Sequence, residues 1–202
     1  MRDNHLHTYF SYDSDADFID YLEHYDGEIV TTEHLDLSNP YPYDAGSPHD
    51  DIPDYESYSR KIAALNRKYG NRIKKGIEIG YYKPRKKDIL AFLENKNYDL
   101  KLLSVHHNGK FDYLEEPALQ SDKMKVIPIY FKEMEEAIES ISAHVLAHFD
   151  YGFRKFNVTV EELKNFEPQL RALFQKMIEH NLAFELNCKS MYLYDHEDIY
   201  IY

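Results

Sequence analysis

The chain alternates between short runs that favour a β-strand and longer segments in which apolar residues recur every three or four positions. The first pattern is typical of strands and the second of amphipathic helices. Strands are predicted over residues 3–6, 28–32, 73–79, 100–105, 145–147 and 182–186. Because helical segments separate these strands, they are expected to pair in parallel, which predicts an α/β fold built of strand–helix units.

End signals place the helices of the first half. Ser14 is predicted to cap the first helix and Gly27 to end it, since a hydroxyl suits an N-cap and glycine suits a C-terminus. A second helix is predicted over 55–69, with Gly70 as its stop. Pro84 is predicted in the first turn of the third helix, where its missing N–H costs nothing.

Two further helices are predicted in the second half, one over 128–143 and one that follows a capping box at Thr159. In all these helices the apolar residues are spaced to face inward. The predicted inward positions are Phe18, Leu22 and Tyr25; Tyr58, Ile62, Leu65 and Tyr69; Ile89, Leu90 and Leu93; Met134, Ile138 and Ile141; and Leu170, Leu173, Phe174, Met177 and Ile178.

Residues 36–54 carry four prolines and show neither helical nor alternating periodicity. They are therefore predicted to form one long loop. Loops of this length in a compact domain are usually functional lids or disordered segments, and both interpretations fit the pattern.

Metal-binding side chains recur at or just beyond the C-terminal ends of the predicted strands. Such ends converge on one face of a parallel barrel, where active sites lie. Imidazole with carboxylate suits zinc, iron or manganese, and a set without cysteine argues against a structural zinc–thiolate site. For any one histidine alone a hydrogen-bonded structural role is the commoner interpretation, but the repetition favours a metal site. The candidate ligands are His5, His7, His34, Glu78, His106 and His148.

Composition narrows the partners and the compartment. The 202 residues carry 36 acidic and 24 basic side chains, a net charge of −12, and a field of this sign repels nucleic acid. No apolar run approaches the ~18 residues that span a bilayer, and the N-terminus lacks the apolar core of a signal peptide. Cys188, the single cysteine, has no partner for a disulfide. We therefore expect a cytoplasmic protein without a nucleic-acid or membrane partner.

Six motifs follow one another along the chain: HLHTYFSYDSDAD, TTEHLD, GIEIGY, LLSVHH, LAHFDY and FELN. This ordered set resembles the polymerase-and-histidinol-phosphatase (PHP) superfamily and, within it, the histidinol-phosphatase branch. The resemblance covers essentially the whole chain. It implies a distorted (β/α)7 barrel with a three-metal site at its C-terminal face. Residues 1–202 are then expected to form a single PHP-type phosphoesterase domain in which six of the family's strand–helix units are present.

The resemblance assigns ligands to the first two ions. His5 and His7 match the opening His-x-His of the family and would bind the first ion. Glu78 matches the glutamate that bridges the first and second ions. His106 and His148 match ligands of the second ion.

The third ion is assigned to His34 and to Asp13, which stands eight positions after His5, where the family often has a histidine. The family's closing Gly-Ser-Asp-Ala-His-like segment would supply two further ligands. It has no counterpart, because the chain stops at Tyr202 and Asp195-His196 has the wrong order and spacing. We therefore expect a C-terminally truncated domain that holds two to three divalent ions, with zinc, iron and manganese as the candidates.

A mechanism is also implied by the resemblance. A metal-bridging hydroxide attacks the phosphorus of L-histidinol phosphate, and L-histidinol and phosphate are released. Glu78, His106 and Arg154 are the predicted catalytic residues. Arg154, Asn187 and His107 are the predicted substrate contacts, since a guanidinium matches phosphate in bidentate fashion. For Arg154 a solvated basic loop residue is the alternative.

Several alternatives stay open. Another PHP-type phosphoesterase is one, because the ligands define the chemistry more than the substrate. A catalytically incomplete remnant that binds metal or a partner without turnover is another. The acidic residues of 36–54 are also candidates to bind the cationic amine of histidinol. A barrel without its closing strand would expose sheet edges, which can pair with another chain, so a homodimer is a further prediction.

Overall fold

One parallel sheet organises the fold. The computed structural model describes residues 3–42, 46 and 48–202. Within these residues the sheet has seven strands in the order β1-β2-β4-β5-β6-β7, with β3 attached to β2. The strands are β1 (Asp3–Leu6), β2 (Ile29–Asn39), β3 (His49–Asp51), β4 (Ile73–Gly80), β5 (Leu100–Ser104), β6 (Val145–Leu146) and β7 (Ala183–Phe184). Every pair along the main path is parallel, and only the β2–β3 pair is antiparallel among the described strands.

Helices connect the parallel strands, as the alternating pattern predicts. They are α1 (Phe18–His24), α2 (Tyr55–Tyr69), α3 (Lys86–Leu93), α4 (Glu116–Leu119), α5 (Lys123–Ser140), α6 (Val160–Leu163), α7 (Glu167–Glu179), α8 (Cys188–Leu193) and α9 (Glu197–Ile201). Short 3₁₀ turns lie at Lys83–Arg85, Tyr151–Phe153 and Lys164–Phe166. The predicted α/β class is therefore confirmed.

Strand β2 is much longer than the predicted strand over 28–32. It pairs with β4 in unbroken register from Ile29 opposite Ile73 to Asp36 opposite Gly80. His34 therefore lies inside this strand, and the prediction that it follows the strand end is wrong. Glu33, His34 and Asp36 interrupt the apolar pattern of β2, yet they are buried, because other polar side chains are their partners.

The prediction of one continuous loop over 36–54 is also wrong. Its first residues continue β2 to Asn39, and His49–Asp51 form β3, which returns antiparallel to β2. Arg85 fastens this hairpin, since its guanidinium donates to both carboxylate oxygens of Asp50 at 2.8 and 2.9 Å. Residues 43–45 and 47 lie outside the described residues, so the lid interpretation of that part stays a prediction.

Helix starts differ from the predictions where a better cap lies nearby. Asp17, not Ser14, caps α1, because its carboxylate accepts from the backbone N–H of Ile19 and completes a capping box. Ser14 instead donates its hydroxyl to the carbonyl of His7 at 3.1 Å. Helix α1 ends at His24, before Gly27. Asp122 starts α5 at Lys123, earlier than the predicted residue 128.

Other end signals behave as predicted. Gly70 ends α2 in the left-handed conformation with φ of 74°, where a side chain would add strain. Pro84 lies in the turn just before α3. The capping box at Thr159 opens α6. Three predicted inward residues are wrong, since Leu90 is 43% exposed, Phe174 38% and Ile178 73%.

Two apolar clusters hold the sheet. The larger lies between the sheet and helices α5 and α7, and it includes Ile77, Leu103 and Phe131. The smaller lies under α1 and α2, around Phe18 and Tyr58. Both clusters fix the strands from outside, so the C-terminal strand ends are left to meet in a polar centre. In the described part of the chain, no helix has the length and apolarity that a membrane crossing requires.

Candidate metal centre

Glu78 lies at the centre of a histidine cluster. It is on β4, directly opposite His34 in the β2–β4 register, and its side chain is fully buried. Among the described residues, five imidazole nitrogens lie within 3.5 Å of its carboxylate oxygens. They are Nε2 of His148 at 2.7 Å, of His5 at 2.9 Å, of His106 at 3.0 Å and of His7 at 3.4 Å, and Nδ1 of His34 at 3.5 Å. Four chain segments thus place metal-binding atoms around one carboxylate.

These atoms form three compact groups that could each hold an ion, with every ligand atom of a group within 4.8 Å of the others. The groups are His5, Glu78 and His148; His7, Asp13 and His34; and His34, Glu78 and His106. All seven residues that the sequence nominates as ligands lie in this one cluster. Their grouping differs from the resemblance, which pairs His5 with His7 and His106 with His148.

Asp36, which sequence reasoning missed, holds the ring of His106 from behind and lies close to the ring of His34. Its carboxylate is fully buried and lies 2.9 Å from Nδ1 of His106 and 3.0 Å from Nδ1 of His34. Histidine ligands of metals usually give their second nitrogen to a carboxylate in this way, which sets the ring orientation and tautomer. The signal was present in the sequence, because Asp36 stands two positions after His34 and alternate residues of a strand share a face.

Glu185 plays the same part for His5. One of its oxygens lies 2.6 Å from Nδ1 of His5, on the far side of the ring from Glu78. Glu185 follows β7, so the rule that selected other strand-end residues applies to it as well. The strand predicted over 182–186 contains Glu185 and ends just before Asn187, so the same rule selected Asn187.

Glu33 fixes the loop that follows His7. The buried carboxylate accepts from the backbone N–H and the hydroxyl of Thr8 at 3.1 and 2.8 Å and from the hydroxyl of Ser11 at 2.6 Å. This anchoring places Asp13 at the mouth of the centre, 3.5 Å from Nε2 of His34 and 42% exposed.

The charges of the centre are strongly coupled. Burial would raise the pKa of Glu78, but the imidazoles of His5, His34 and His106 outweigh it and hold the pKa well below its ordinary value. Burial would lower the pKa of His5, but Glu78 and Glu185 raise it to about 10. The pKa of His34 also rises to about 10, because the pull of Glu78 and other carboxylates exceeds the effect of burial. Without a metal, these rings are therefore protonated partners of a carboxylate.

Two rings behave differently. Burial lowers the pKa of His7 to about 3, and the neighbouring charge of His34 adds to the effect. Burial also lowers the pKa of His148, against the attraction of Glu78. Neutral imidazole is the form that binds a metal, so the pKa shifts favour metal binding at His7 and His148 and oppose it at His5 and His34.

The residues present fit divalent metal ions. The donors are imidazole nitrogens and carboxylate oxygens, a set that suits zinc, iron and manganese. The rings of His5 and His106 are each held at Nδ1 by an outer carboxylate and present Nε2 to Glu78. This is the arrangement found around bound metals in proteins.

Arg154 lies beside this cluster and is buried, with only 4% of its surface exposed. The alternative of a solvated basic loop residue is therefore wrong. Its guanidinium lies over the ring of Tyr151 at 5.3 Å, and that ring is 4.8 Å from His106 and 5.1 Å from His148. One amino group reaches Asp150 at 3.4 Å, while the buried Nε has no hydrogen-bond partner among the described residues. A guanidinium whose Nε has no hydrogen-bond partner in the described chain is thus separated from the candidate ligands His106 and His148 by the ring of Tyr151.

His107 and Asn187 make structural contacts. The buried ring of His107 accepts from the backbone N–H of Gly109 at 3.0 Å and lies outside the three groups around Glu78. Asn187 caps α8 by accepting from the N–H of Ser190. Its amide also donates to Glu185 at 3.2 Å, which is its link to the centre.

Asp150 fastens the last two helices near the centre. Its buried carboxylate accepts from the hydroxyl of Ser190 at 2.9 Å, from Nδ1 of His196 at 2.8 Å and from the hydroxyl of Tyr200 at 2.8 Å. We gave His196 no role from the sequence, because it lies outside any strand end or periodic segment. The fold makes it a buried partner of Asp150.

Comparisons with known proteins agree with this architecture. Residues 3–189 match the sequence model of a family described as the PHP domain. The chain matches no curated protein. A solved structure of histidinol phosphate phosphatase from Lactococcus lactis subsp. lactis, complexed with zinc, L-histidinol and phosphate, is similar with a TM-score of 0.79 and 22% identity, over 92% of this chain and 72% of that one.

A second similar structure is a Listeria monocytogenes protein provisionally named a histidinol phosphatase. Its TM-score is 0.75 at 16% identity, over 95% of this chain and 84% of that one. These two likenesses bear on the fold. Together with the parallel sheet, they confirm the predicted incomplete barrel of the PHP type.

Proposed function

The chain belongs to the PHP domain family, and on this premise we propose that it is a metal-dependent phosphomonoesterase that hydrolyses L-histidinol phosphate. One observation carries the proposal: five histidines converge on the buried carboxylate of Glu78. The zinc, histidinol and phosphate in the Lactococcus structure support the choice of metal and substrate.

The three groups around Glu78 and His34 would hold the ions. Divalent ions there supply positive charge for phosphate oxygens and make a nucleophile from water at neutral pH. The residues of the chain contribute position and charge. Glu78 contributes an oxygen to two of the groups, so it fixes them relative to one another. His34 likewise belongs to two groups and links the buried part of the centre to Asp13 at its mouth.

Arg154 is the proposed phosphate-binding residue of the chain. The protein carries a net charge of −12, so a phosphate needs local cations to approach. Arg154 is buried, is held in place by Asp150, and keeps Nε free of any hydrogen bond within the described chain. A guanidinium binds phosphate through paired N–H donors. This geometry supports a phosphate held between the metal groups and Arg154, over the ring of Tyr151.

Two acids of 36–54 that were candidates to bind the histidinol amine, Asp50 and Asp51, already have hydrogen-bond partners. Asp50 is engaged by Arg85 through two hydrogen bonds. Asp51 accepts from the side-chain amide of Asn39 at 2.8 Å. Asp13, outside that segment, is the more exposed carboxylate beside His34. We therefore place the amine at the mouth of the centre, near Asp13.

Phosphate release from L-histidinol phosphate tests the proposal. The purified chain is loaded separately with zinc, manganese or ferrous iron, and its metal content is measured alongside turnover. Saturable release with at least one metal, lost on chelation and restored by that metal, is the expected result. Release from other phosphomonoesters or phosphodiesters alone would point to another PHP-type substrate. Bound metal without release from any of them would leave the binding-module alternative.

Replacing Arg154 with lysine is expected to raise KM for the phosphate substrate about 10–100-fold, because a charged hydrogen bond contributes about 1.5–3 kcal/mol. Lysine keeps the charge beside Asp150 but loses the planar set of donors. Metal content should not change, since Arg154 is in none of the three groups. Steady-state kinetics with metal analysis measure both. Lys155→Met, which removes the adjacent exposed cation, serves as the control and should leave KM unchanged. A wild-type KM for R154K would contradict the assignment.

A further inference from the structure

The sheet leaves its two end strands unpaired with each other. In the strand order β1 lies at one end and β7 at the other, and the described pairings contain no β1–β7 ladder. A side-chain contact nevertheless joins these ends. Nδ1 of His5, on β1, lies 2.6 Å from Oε1 of Glu185, which follows β7, although the two residues are 180 positions apart in the sequence.

The same carboxylate also holds the end of β6. Its second oxygen, Oε2, accepts from the backbone N–H of His148 at 2.6 Å and from the side-chain amide of Asn187 at 3.2 Å. Both oxygens of Glu185 thus act as acceptors for donors from different segments. An amide in this position has one acceptor oxygen and one donor nitrogen, so it could not accept on both sides and keep the proton of His5 on Nδ1.

These contacts meet at one metal group. His5, Glu78 and His148 form one of the three compact groups, and Glu185 touches two of its three members without belonging to it. The ring of His5 lies between Glu185 at Nδ1 and Glu78 at Nε2. A proton held on Nδ1 leaves the lone pair on Nε2, the nitrogen that faces the group.

We propose that Glu185 is a positioning residue that joins β1 to β6 and β7 and fixes His5 in the Nε2-coordinating form for the ion held by His5, Glu78 and His148. This inference rests on the proposed metal centre and adds a residue to it. The carboxylate acts through His5 and through the backbone of His148, and its hydrogen bonds in the described structure go to His5, His148 and Asn187. Binding of this ion therefore depends on the Glu185 contacts that join the two ends of the sheet.

Zinc binding by the E185Q variant tests the inference. Affinity and stoichiometry are measured with zinc alone, by competition against a chromophoric chelator. Loss of an outer carboxylate partner typically weakens metal binding about 10–100-fold, and we expect that loss for one ion per chain. The rise in Tm on adding zinc should shrink in parallel. Glu133→Gln is the matched control, because Glu133 is also partly buried but accepts from Tyr113 instead of a histidine of the centre.

A measurement on the wild-type chain keeps the inference testable if E185Q does not fold. In zinc-loaded protein with ¹⁵N-labelled histidine, His5 should bind zinc through Nε2 and keep a slowly exchanging proton on Nδ1. Zinc on Nδ1, or E185Q with wild-type affinity and stoichiometry, would overturn the role of Glu185. A wild-type chain that binds no zinc, manganese or iron would instead overturn the proposed function itself, so the two failures are distinguishable.

Discussion

Replacing Glu78 with glutamine is expected to remove the metal ions and the phosphatase activity together. Glu78 belongs to two of the three metal groups, and five imidazole nitrogens face its carboxylate. A neutral amide supplies one weaker oxygen and no negative charge. Loss of charge stabilisation worth about 4 kcal/mol corresponds to about 10³-fold in turnover, which is the smallest loss we expect.

The same variant should alter the metal-free protein in a pH-dependent way. The raised pKa values of His5 and His34, both about 10, mean that pairing with Glu78 stabilises the fold fully below the histidine pKa of the unfolded chain, about 6.5. The lowered pKa of Glu78 means that its share is present above the glutamate pKa of the unfolded chain, about 4.3. The loss of unfolding free energy in E78Q should therefore be largest between about pH 4.5 and 6.5 and shrink toward pH 10.

Metal analysis, phosphate release and denaturant unfolding at several pH values measure these effects. Asp112→Asn is a suitable control for metal content, because Asp112 is also buried but its side chain accepts from Tyr151 and the N–H of Leu114. E78Q that binds as much metal as the wild-type chain would contradict the central position of Glu78.

From the sequence we could predict those residues of this centre that have a metal-binding side chain and also follow a strand end. His106 and His148 directly follow apolar runs, so their convergence could be anticipated from parallel pairing alone. Glu185 follows the same rule but was missed, because the predicted strand over 182–186 extends past the observed end of β7 at Phe184. The joining of β1 to β7 through His5 could not be anticipated, since it depends on how far the sheet curls and not on any local pattern.

Strand β2 shows why strand boundaries were harder to predict than metal-binding residues. Its residues Glu33, His34 and Asp36 are polar, and a hydrophobic pattern treats such residues as the end of a strand. In the fold they are buried because Thr8, Ser11 and the imidazoles of the centre satisfy them. The predicted end of β2 is therefore wrong at the point where buried polar side chains take the place of apolar ones. Functional sites are where such departures from the hydrophobic pattern are expected.

Gly80→Ala is expected to disrupt both folding and metal binding. A Cβ at Gly80 would overlap Oδ1 of Asp36, and it would lie 2.8 Å from Cγ of Asp36 and 3.2 Å from Nδ1 of His106. Asp36 cannot simply turn away, because it is fully buried, hydrogen-bonded to His106 and 3.0 Å from Nδ1 of His34. Breaking a buried charged pair costs about 3–5 kcal/mol, and we expect a loss of unfolding free energy of that size. Weaker zinc binding should accompany it, since His34 and His106 share a metal group.

Gly70→Ala separates this clash from the ordinary cost of replacing a glycine. Apart from the two chain neighbours of Gly70, no atom of the described residues lies within 4 Å of a Cβ there. Because its φ is +74°, the expected cost is about 1–2 kcal/mol of left-handed strain with unchanged zinc affinity. The double variant G80A/D36A supplies a second check. Removing the Asp36 carboxylate relieves the overlap, so the two losses should sum to more than the loss in the double variant. Denaturant unfolding and zinc titration are carried out on G70A, G80A, D36A and the double variant, alongside the wild-type chain. Strictly additive losses, or wild-type zinc affinity in G80A, would show that Asp36 does not need the open space at Gly80 to hold the two rings.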